Sequence, residues 1–267
     1  MMEKKVSIIM AIYNSDPNKF KRAIESILNQ TYRNFELIIC DDGSENGIDD
    51  YIHQYNDERI IFIKNERNLG LACSLNHCLQ VASGEYIARM DDDDISGVTR
   101  IEKQVEFLNR HSEYSIVGSA IWLIDESGIW GEDYLKEIPN KKDLLYGVVH
   151  VHPTIMVRKE AYDFVQGYRV SWKTERTEDY DLYMRLYAAG YKGYNLQEKL
   201  FYYTQSKNTL IKRRFRHRIE EVACRYEGFR LLDLYPQGYC FLLKPIISSM
   251  EPKFLKQIRL KRKYRIS

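Results

Sequence analysis

Apolar runs in the first ninety residues are short, unbroken and regularly spaced. Val6–Ile12 is continuous and rich in β-branched residues, which predicts a strand buried on both faces. Ser15-Asp16-Pro17 then supplies cap candidates and a proline for a first helical turn. Phe20, Ala23, Ile24, Ile27 and Leu28 follow at helical spacing. Phe35–Cys40 and Ile60–Lys64 read as the second and third strands. Leu71–Ala82 predicts a helix with Leu71, Leu75, Cys78 and Leu79 on one face, closed by Gly84. Glu85–Met90 is a fourth strand that runs directly into Asp91-Asp92-Asp93-Asp94. Ile101–Leu108 is helical again and Ser115–Ile124 extended, whereas the stretch from about Gly131 to Tyr168 has no clear period. Thr177–Ala189 predicts a helix carrying Asp179 in its first turn, and Lys207–Leu232 and Lys253–Arg265 predict basic helices.

Repeated strand–helix–strand units predict an α/β fold, with a Rossmann-like, mostly parallel central sheet and helices on both faces. Ligands of such sheets bind beyond the carboxyl ends of the strands. Asp41-Asp42 and Asp91–Asp94 both follow strands immediately, so the pattern places them at that edge.

Composition narrows the class. A chain of 267 residues, 44% apolar and 29% charged, is globular and long enough for a full core. Its five cysteines, Cys40, Cys73, Cys78, Cys224 and Cys240, form no C-x-x-C pair, so reduced thiols in a cytosolic compartment are expected. The N-terminal lysines and apolar run lack a small-residue cleavage site, which favours a buried strand over a signal peptide. No apolar stretch approaches the roughly 20 residues of a membrane-spanning helix. The net charge of +2 conceals an asymmetry: 17 basic and 5 acidic side chains lie between Lys199 and Ser267, against 23 and 33 before them. An acidic body with a basic tail suits an anionic surface.

The acidic turns carry the candidate chemistry. Adjacent carboxylates raise one another's pKa, and a bound divalent cation relieves this. Carboxylates select hard cations such as Mg²⁺ and Mn²⁺, which also bridge phosphate oxygens. A solvated acidic loop explains a charge run taken alone; its place after a buried strand points to a metal site. Asp41-Asp42-Gly43-Ser44 is suited to accept hydrogen bonds from a base or ribose, although an ordinary Asp-Gly turn has the same residues.

The segments VSIIMAIYN, SILNQTY, FELIICDDGS, NLGLACSLNHCL, GEYIARMDDDDIS, RIEKQVEFL, HPTIMVRKEAY and TEDYDLYMRLYAAGY, in order from Val6 to Tyr203, resemble the family 2 glycosyltransferases. The resemblance implies a GT-A fold and transfer of a sugar from a nucleotide-sugar, UDP being the expected nucleotide. It implies a catalytic domain over residues 1–206, of which about 1–95 is the nucleotide-sugar half and 96–206 the acceptor half. Residues 207–267 would form a basic helical extension. Asp41 would contact the base, with Ala11, Tyr13 and Asn14 flanking it, Asp42 supporting the loop and Arg67 on the nucleotide-sugar side. Asp91 and Asp93 match a D-x-D pair for Mn²⁺ or Mg²⁺, with Asp92 at the x position, and Arg89 and Asp94 would shape the loop. Glu178-Asp179 matches the family's E-D pair, Asp179 being the expected base of a single, inverting displacement. Read without the resemblance, Asp179 is an acid favoured by a helix N-terminus. His152-Pro153 would line the acceptor side, while the H-x-H spacing of His150 and His152 is weak evidence for a metal. Thr204-Gln205-Ser206 stands where many relatives carry Arg-x-His, which leaves the leaving-group contacts open, with Lys207, Lys212 or Arg213 as candidate substitutes.

The implied acceptor is a saccharide hydroxyl, lipid-linked through a polyprenyl diphosphate, in O-antigen or capsule assembly. The enzyme would lie in the cytoplasm on the inner face of the plasma membrane. Basic residues including Lys261, Arg262 and Lys263, with Phe254, Leu255, Ile258 and Tyr264 interleaved, would meet anionic lipid. The other classes fit less well. No G-x-G-x-x-G follows the first strand as a nicotinamide dehydrogenase requires, and no glycine-rich loop suggests a nucleotidyltransferase. No nucleic-acid reader motif accompanies the basic tail. A non-catalytic nucleotide-sugar or polysaccharide-binding module would not need a base.

Overall fold

The computed structural model describes residues 3–206, 215–249 and 264. Chain order begins β1 (Val6–Ile12), α1 (Pro17–Leu28), β2 (Phe35–Asp41), α2 (Ile48–Ile52), β3 (Ile60–Lys64), α3 (Leu71–Val81) and β4 (Tyr86–Arg89). It continues with β5 (Ile95–Ser96), α4 (Arg100–Arg110), β6 (Ile116–Asp125), β7 (Gly128–Asp133), β8 (Met156–Arg158), α5 (Lys159–Phe164), α6 (Glu178–Ala188) and β9 (Gly193–Thr204). Helices α7 (Phe215–Leu231), α8 (Tyr239–Leu242) and α9 (Lys244–Ser249) complete it.

All seven residues of β1 and of β2 are buried, because each strand is covered on both faces. Successive side chains of a strand point to opposite faces. Val6, Ile8, Met10 and Ile12 therefore meet α1 and α4, through Phe20, Ile24, Ile101 and Val105 among others. Ile9 and Ala11 share the second core with Leu75 and Cys78 of α3 and with Leu182 and Leu186 of α6. Burying one such aliphatic side chain is worth about 1.5–3 kcal/mol, so the central strand is fastened from two sides. Asp16 starts α1 as expected: its carboxylate accepts from the amides of Asn18 and Lys19, with Pro17 in the first turn.

One sheet runs β3-β2-β1-β4-β8-β6-β9-β5, with β7 paired to β6. It is parallel from β3 through β4, and Ile12 pairs with Asp41 while Ile9 pairs with Arg89. The carboxyl ends of β1, β2 and β4 thus finish side by side. Beyond β4 the sheet is mixed: β8 is antiparallel to both neighbours, and β9 is parallel to β6 through two register shifts. The stretch without clear period holds the end of β7, the three-residue β8, the six-residue α5 and short turns. All five cysteines are free thiols.

Helix α7 falls within the expected basic helix, whereas residues 207–214 and the tail residues Lys261, Arg262 and Lys263 lie outside the described residues. One expectation about the tail needs correction. Tyr264, expected on its lipid-facing stripe, is buried: its ring meets Trp130 edge-on at 6.0 Å, and its carbonyl accepts from Glu132 N at 3.0 Å. The β6–β7 hairpin offers this ring an apolar slot beside Leu123 and Gly131, where burial outweighs exposure. No helix among the described residues is long and apolar enough to cross a membrane.

Candidate functional site

The turns after β1 and β2 are stitched together at the sheet edge. Asn14 N donates to Ser44 Oγ at 2.8 Å, and Glu45 N donates back to Asn14 Oδ1 at 3.1 Å. Asn14 takes φ 48°, which asparagine tolerates better than most residues. Ala11 is buried beneath the turn and Tyr13 stands exposed above it. Asp42 accepts from Asn65 Nδ2, Leu69 N and Gly70 N, each at 2.8 Å, which pins the approach to α3. Asp41 is fully buried; its Oδ1 accepts from Ser44 N, and its Oδ2 has no hydrogen bond but lies 3.4 Å from Lys64 Nζ. Gly43, at φ +77°, presses on the backbone of Arg67, where a Cβ would come within 2.6 Å. The Arg67 side chain is exposed and borders a separate recess shared with Asn65 and His77.

The second turn spends its carboxylates differently. The Arg89 guanidinium, fully buried, donates to Met90 O and to Asp91 Oδ1. Burial works against that charge, and Asp91 more than offsets it, so the guanidinium is held firmly protonated. Ser15 Oγ donates to Asp92 Oδ2. Asp94, fully buried, accepts from Thr204 N at 2.6 Å, and its Oδ2 has no hydrogen-bond partner. Asp93 forms no ion pair among the described residues; burial and the charges of Asp91 and Asp92 push its pKa up to about 6. Asp92 and Asp94 are also raised, by burial first and neighbouring carboxylates second.

Beside this turn opens a cleft of about 1240 Å³ that brings Arg89, Asp91, His152, Pro153, Glu178 and Asp179 together. Asp92 and Asp93 continue the turn without lining that cleft. Glu178 and Asp179 begin α6, where the helix dipole favours acids. Asp179 Oδ1 accepts from Tyr180 N at 2.7 Å, and burial together with the Asp179 charge lifts Glu178 to about 7. His150 is engaged at both ring nitrogens, with Asn195 Oδ1 at 2.7 Å and Tyr187 OH at 3.1 Å, and burial lowers its pKa to about 4. His152 Nε2 lies 2.8 Å from Tyr168 OH. These contacts account for the H-x-H pair without a metal.

Among the described residues, no group of three or more His, Cys, Asp or Glu side chains is gathered as a ready-made metal cage. The donor set nevertheless fits a cation of the Mg²⁺ or Mn²⁺ kind, which is commonly held by one or two carboxylates and completed by substrate phosphates. The orphaned Asp94 oxygen and the raised Asp93 carboxyl both mark excess negative charge at this turn.

Several contributors escape a reading by sequence. Ser15 looked like a helix cap but reaches Asp92, 77 positions away, a contact with no local signal in the sequence. Tyr203, Arg176 and, from α7 and α9, His217, Glu221, Arg225 and Lys244 also line the cleft. Thr204 holds the acidic turn through its amide to Asp94 and its hydroxyl to Asp93 O. Lys207, Lys212 and Arg213, the expected leaving-group cations, lie outside the described residues.

Comparison with known proteins bears on this geometry. The model of the family described as glycosyl transferase family 2 matches residues 7–166. EpsE of Bacillus subtilis (strain 168) is 42% identical over 252 residues, spanning 93% of this chain and 90% of EpsE. WfaP of Escherichia coli, named as a UDP-Glc:alpha-D-GlcNAc-diphosphoundecaprenol beta-1,3-glucosyltransferase, is 30% identical over 216 residues, 81% of this chain and 83% of WfaP. The fold is similar to that of S. aureus TarS 1-349 solved with UDP-GlcNAc, with TM-score 0.68 at 16% identity, over 88% of this chain and 72% of the other.

Proposed function

We propose that this chain, which belongs to glycosyl transferase family 2 and is a glycosyltransferase of the GT-A fold, moves one sugar from a UDP-sugar to a saccharide hydroxyl, inverting the anomeric centre. The observation that carries the reading is one cleft lined by acids from two distant segments, Asp91 after β4 and Glu178-Asp179 at the start of α6. The acceptor is a saccharide on a polyprenyl diphosphate, in the assembly of a bacterial surface polysaccharide; the substrates in WfaP's name support both donor and acceptor.

In this reading Asp41 accepts from the base, and the Asn14–Ser44 stitch and Asp42 hold that turn still, with Arg67 beside it. Asp91 and Asp93 would hold Mn²⁺ or Mg²⁺, which when bound would supply positive charge against the diphosphate. Arg89 orients Asp91, and Asp92 keeps the turn against Ser15. Asp179 takes the acceptor's proton as its oxygen bonds to the anomeric carbon, while the bond from that carbon to the nucleoside diphosphate breaks. Glu178, charged only in part near neutral pH, limits repulsion beside that base. His152 and Pro153 line the acceptor side. Residues 1–206 form the catalytic unit, and the extension closes the acceptor end through His217, Arg225 and Lys244. Lys261, Arg262 and Lys263 meet anionic lipid at the cytoplasmic face of the membrane, where the acceptor resides.

A panel of UDP-, GDP- and dTDP-sugars with Mn²⁺ or Mg²⁺ tests this, run on the wild type and on Asp179→Asn, with lipid-linked acceptor in anionic or neutral vesicles. UDP-sugar should be consumed, excess EDTA should stop it, and anionic vesicles should speed transfer. Asp179→Asn should bind donor but lose roughly 10²–10⁴ in kcat. Donor binding by the wild type without hydrolysis or transfer would instead indicate a non-catalytic binding module.

A further inference from the structure

We propose that Arg176 is the side chain that grips a diphosphate in the cleft, the cationic contact that Thr204-Gln205-Ser206 does not supply. The proposal rests on the glycosyl-transfer reading and assigns a residue to it. A departing diphosphate needs positive charge placed at its oxygens. Most cations lining the described cleft are already committed. Arg89 is buried and bound to Asp91 and Met90 O. Arg225 donates to Glu221 and to Leu145 O, and Lys244 to Tyr146 O at 2.6 Å. Arg176 lines the same cleft, is exposed, and makes no hydrogen bond or ion pair among the described residues.

Its setting is specific. Arg176 has φ 63°, the left-handed region that arginine seldom adopts, in the turn closed by Thr177 N to Thr174 O at 2.9 Å. Two and three residues later come Glu178 and Asp179, and Glu178 feels the charges of both Arg89 and Arg176. The guanidinium therefore stands near the acids without being spent on them, and its planar fork of donors matches two phosphate oxygens at once. The alternative position is occupied by other work. Thr204 gives its amide to Asp94 and its hydroxyl to Asp93 O, while Gln205 N donates to Ile124 O and Gln205 O accepts from Trp130 Nε1.

The bound diphosphate is either the donor's leaving group or the one that links the acceptor to its lipid, and two measurements separate them. Calorimetry with UDP and with UMP, in Mg²⁺, compares the wild type with Arg176→Ala, Arg176→Gly and Arg176→Lys. If the wild type prefers GDP or dTDP, that diphosphate and its monophosphate replace the pair. For the donor source, Ala and Gly should weaken the diphosphate by about tenfold or more, Lys should restore part, and the monophosphate should not move. For the acceptor source, UDP binding stays constant while KM rises for the diphosphate-linked acceptor and not for the same saccharide on a neutral alkyl group. Glycine accepts φ 63° freely, so a purely conformational role would leave Arg176→Gly like the wild type, which overturns the proposal. Equal losses for diphosphate and monophosphate, or no change in either measurement, overturn it too. A wild type that binds none of the three diphosphates sinks the glycosyl-transfer reading, and Arg176 with it.

Discussion

Two acidic turns leave the same edge of the sheet and use their carboxylates in opposite ways. After β2, Asp42 is saturated by three donors at 2.8 Å, and Asp41 has Ser44 N and a nearby Lys64. After β4, four successive carboxylates share Arg89, the Ser15 hydroxyl and the Thr204 amide, and Asp93 has no ion pair among the described residues. Burial then pushes Asp92, Asp93 and Asp94 upward. A carboxylate with its lone pairs filled is a fastening. One left in company with its own kind, half out of water, is stabilised only when something positive arrives.

The sharpest way to break this contrast is to remove the least satisfied charge. Asp93→Asn should abolish transfer, by roughly a thousandfold or more if the cation contributes several kcal/mol at the transition state. The metal-free variant should nevertheless melt higher than the wild type, by about 2–4 °C for each kcal/mol of repulsion relieved. Thermal melts in EDTA decide it: a lower melting temperature would mean that Asp93 is held by its surroundings and that the turn is not strained.

The mirror-image substitution should do the reverse. Asp42→Ala leaves Asn65 Nδ2, Leu69 N and Gly70 N without their acceptor. Because Leu69 is 39% exposed, water can reach part of this group, and the expected loss is about 1–3 kcal/mol. Donor KM should rise as the turn carrying Asp41 loosens, with kcat less affected. Urea melts showing no loss of stability would make Asp42 a ligand-facing residue and dissolve the distinction between the turns.

How far these turns could be foreseen depended on how local their causes are. β1, β2 and α1 were legible because apolar runs, the Asp16 cap and Pro17 act within a few residues. The acidic runs were legible because they follow such strands directly. β9 offers no unbroken apolar run, since Gln197, Glu198 and Lys199 interrupt it where the register with β6 shifts. β8 has three residues, too few for any period, and its antiparallel place between β4 and β6 is set by the whole sheet. In the site, the contacts of Ser15 with Asp92 and of Thr204 with Asp94 join residues 77 and 110 positions apart. Tyr264 looked lipid-facing because the hydrophobic stripe of a helix does not reveal that a hairpin elsewhere has a slot for one of its rings.

The smallest effect belongs to Asp92, and it tests whether the second turn is uniform. Asp92 stands between Asp91 and Asp93, the two carboxylates proposed to hold the cation, yet its Oδ2 already accepts the Ser15 hydroxyl. Through Ser15, whose carbonyl also accepts from Asn46 Nδ2 at 2.9 Å, it ties the acidic run to the turns after β1 and β2. Asparagine can keep the accepting oxygen while removing the charge. Asp92→Asn should therefore raise donor KM by only about two- to fivefold, under roughly 1 kcal/mol, and leave kcat near the wild-type value. Asp92→Ala, which also removes the acceptor, should raise donor KM further, and Ser15→Ala, which severs the same stitch but keeps the charge, should fall short of Asp92→Ala. Steady-state kinetics on the three variants settle the order. If Asp92→Asn proves as inactive as Asp93→Asn, its charge rather than its hydrogen bond is what the site needs, and the acidic run works as one cation-binding unit.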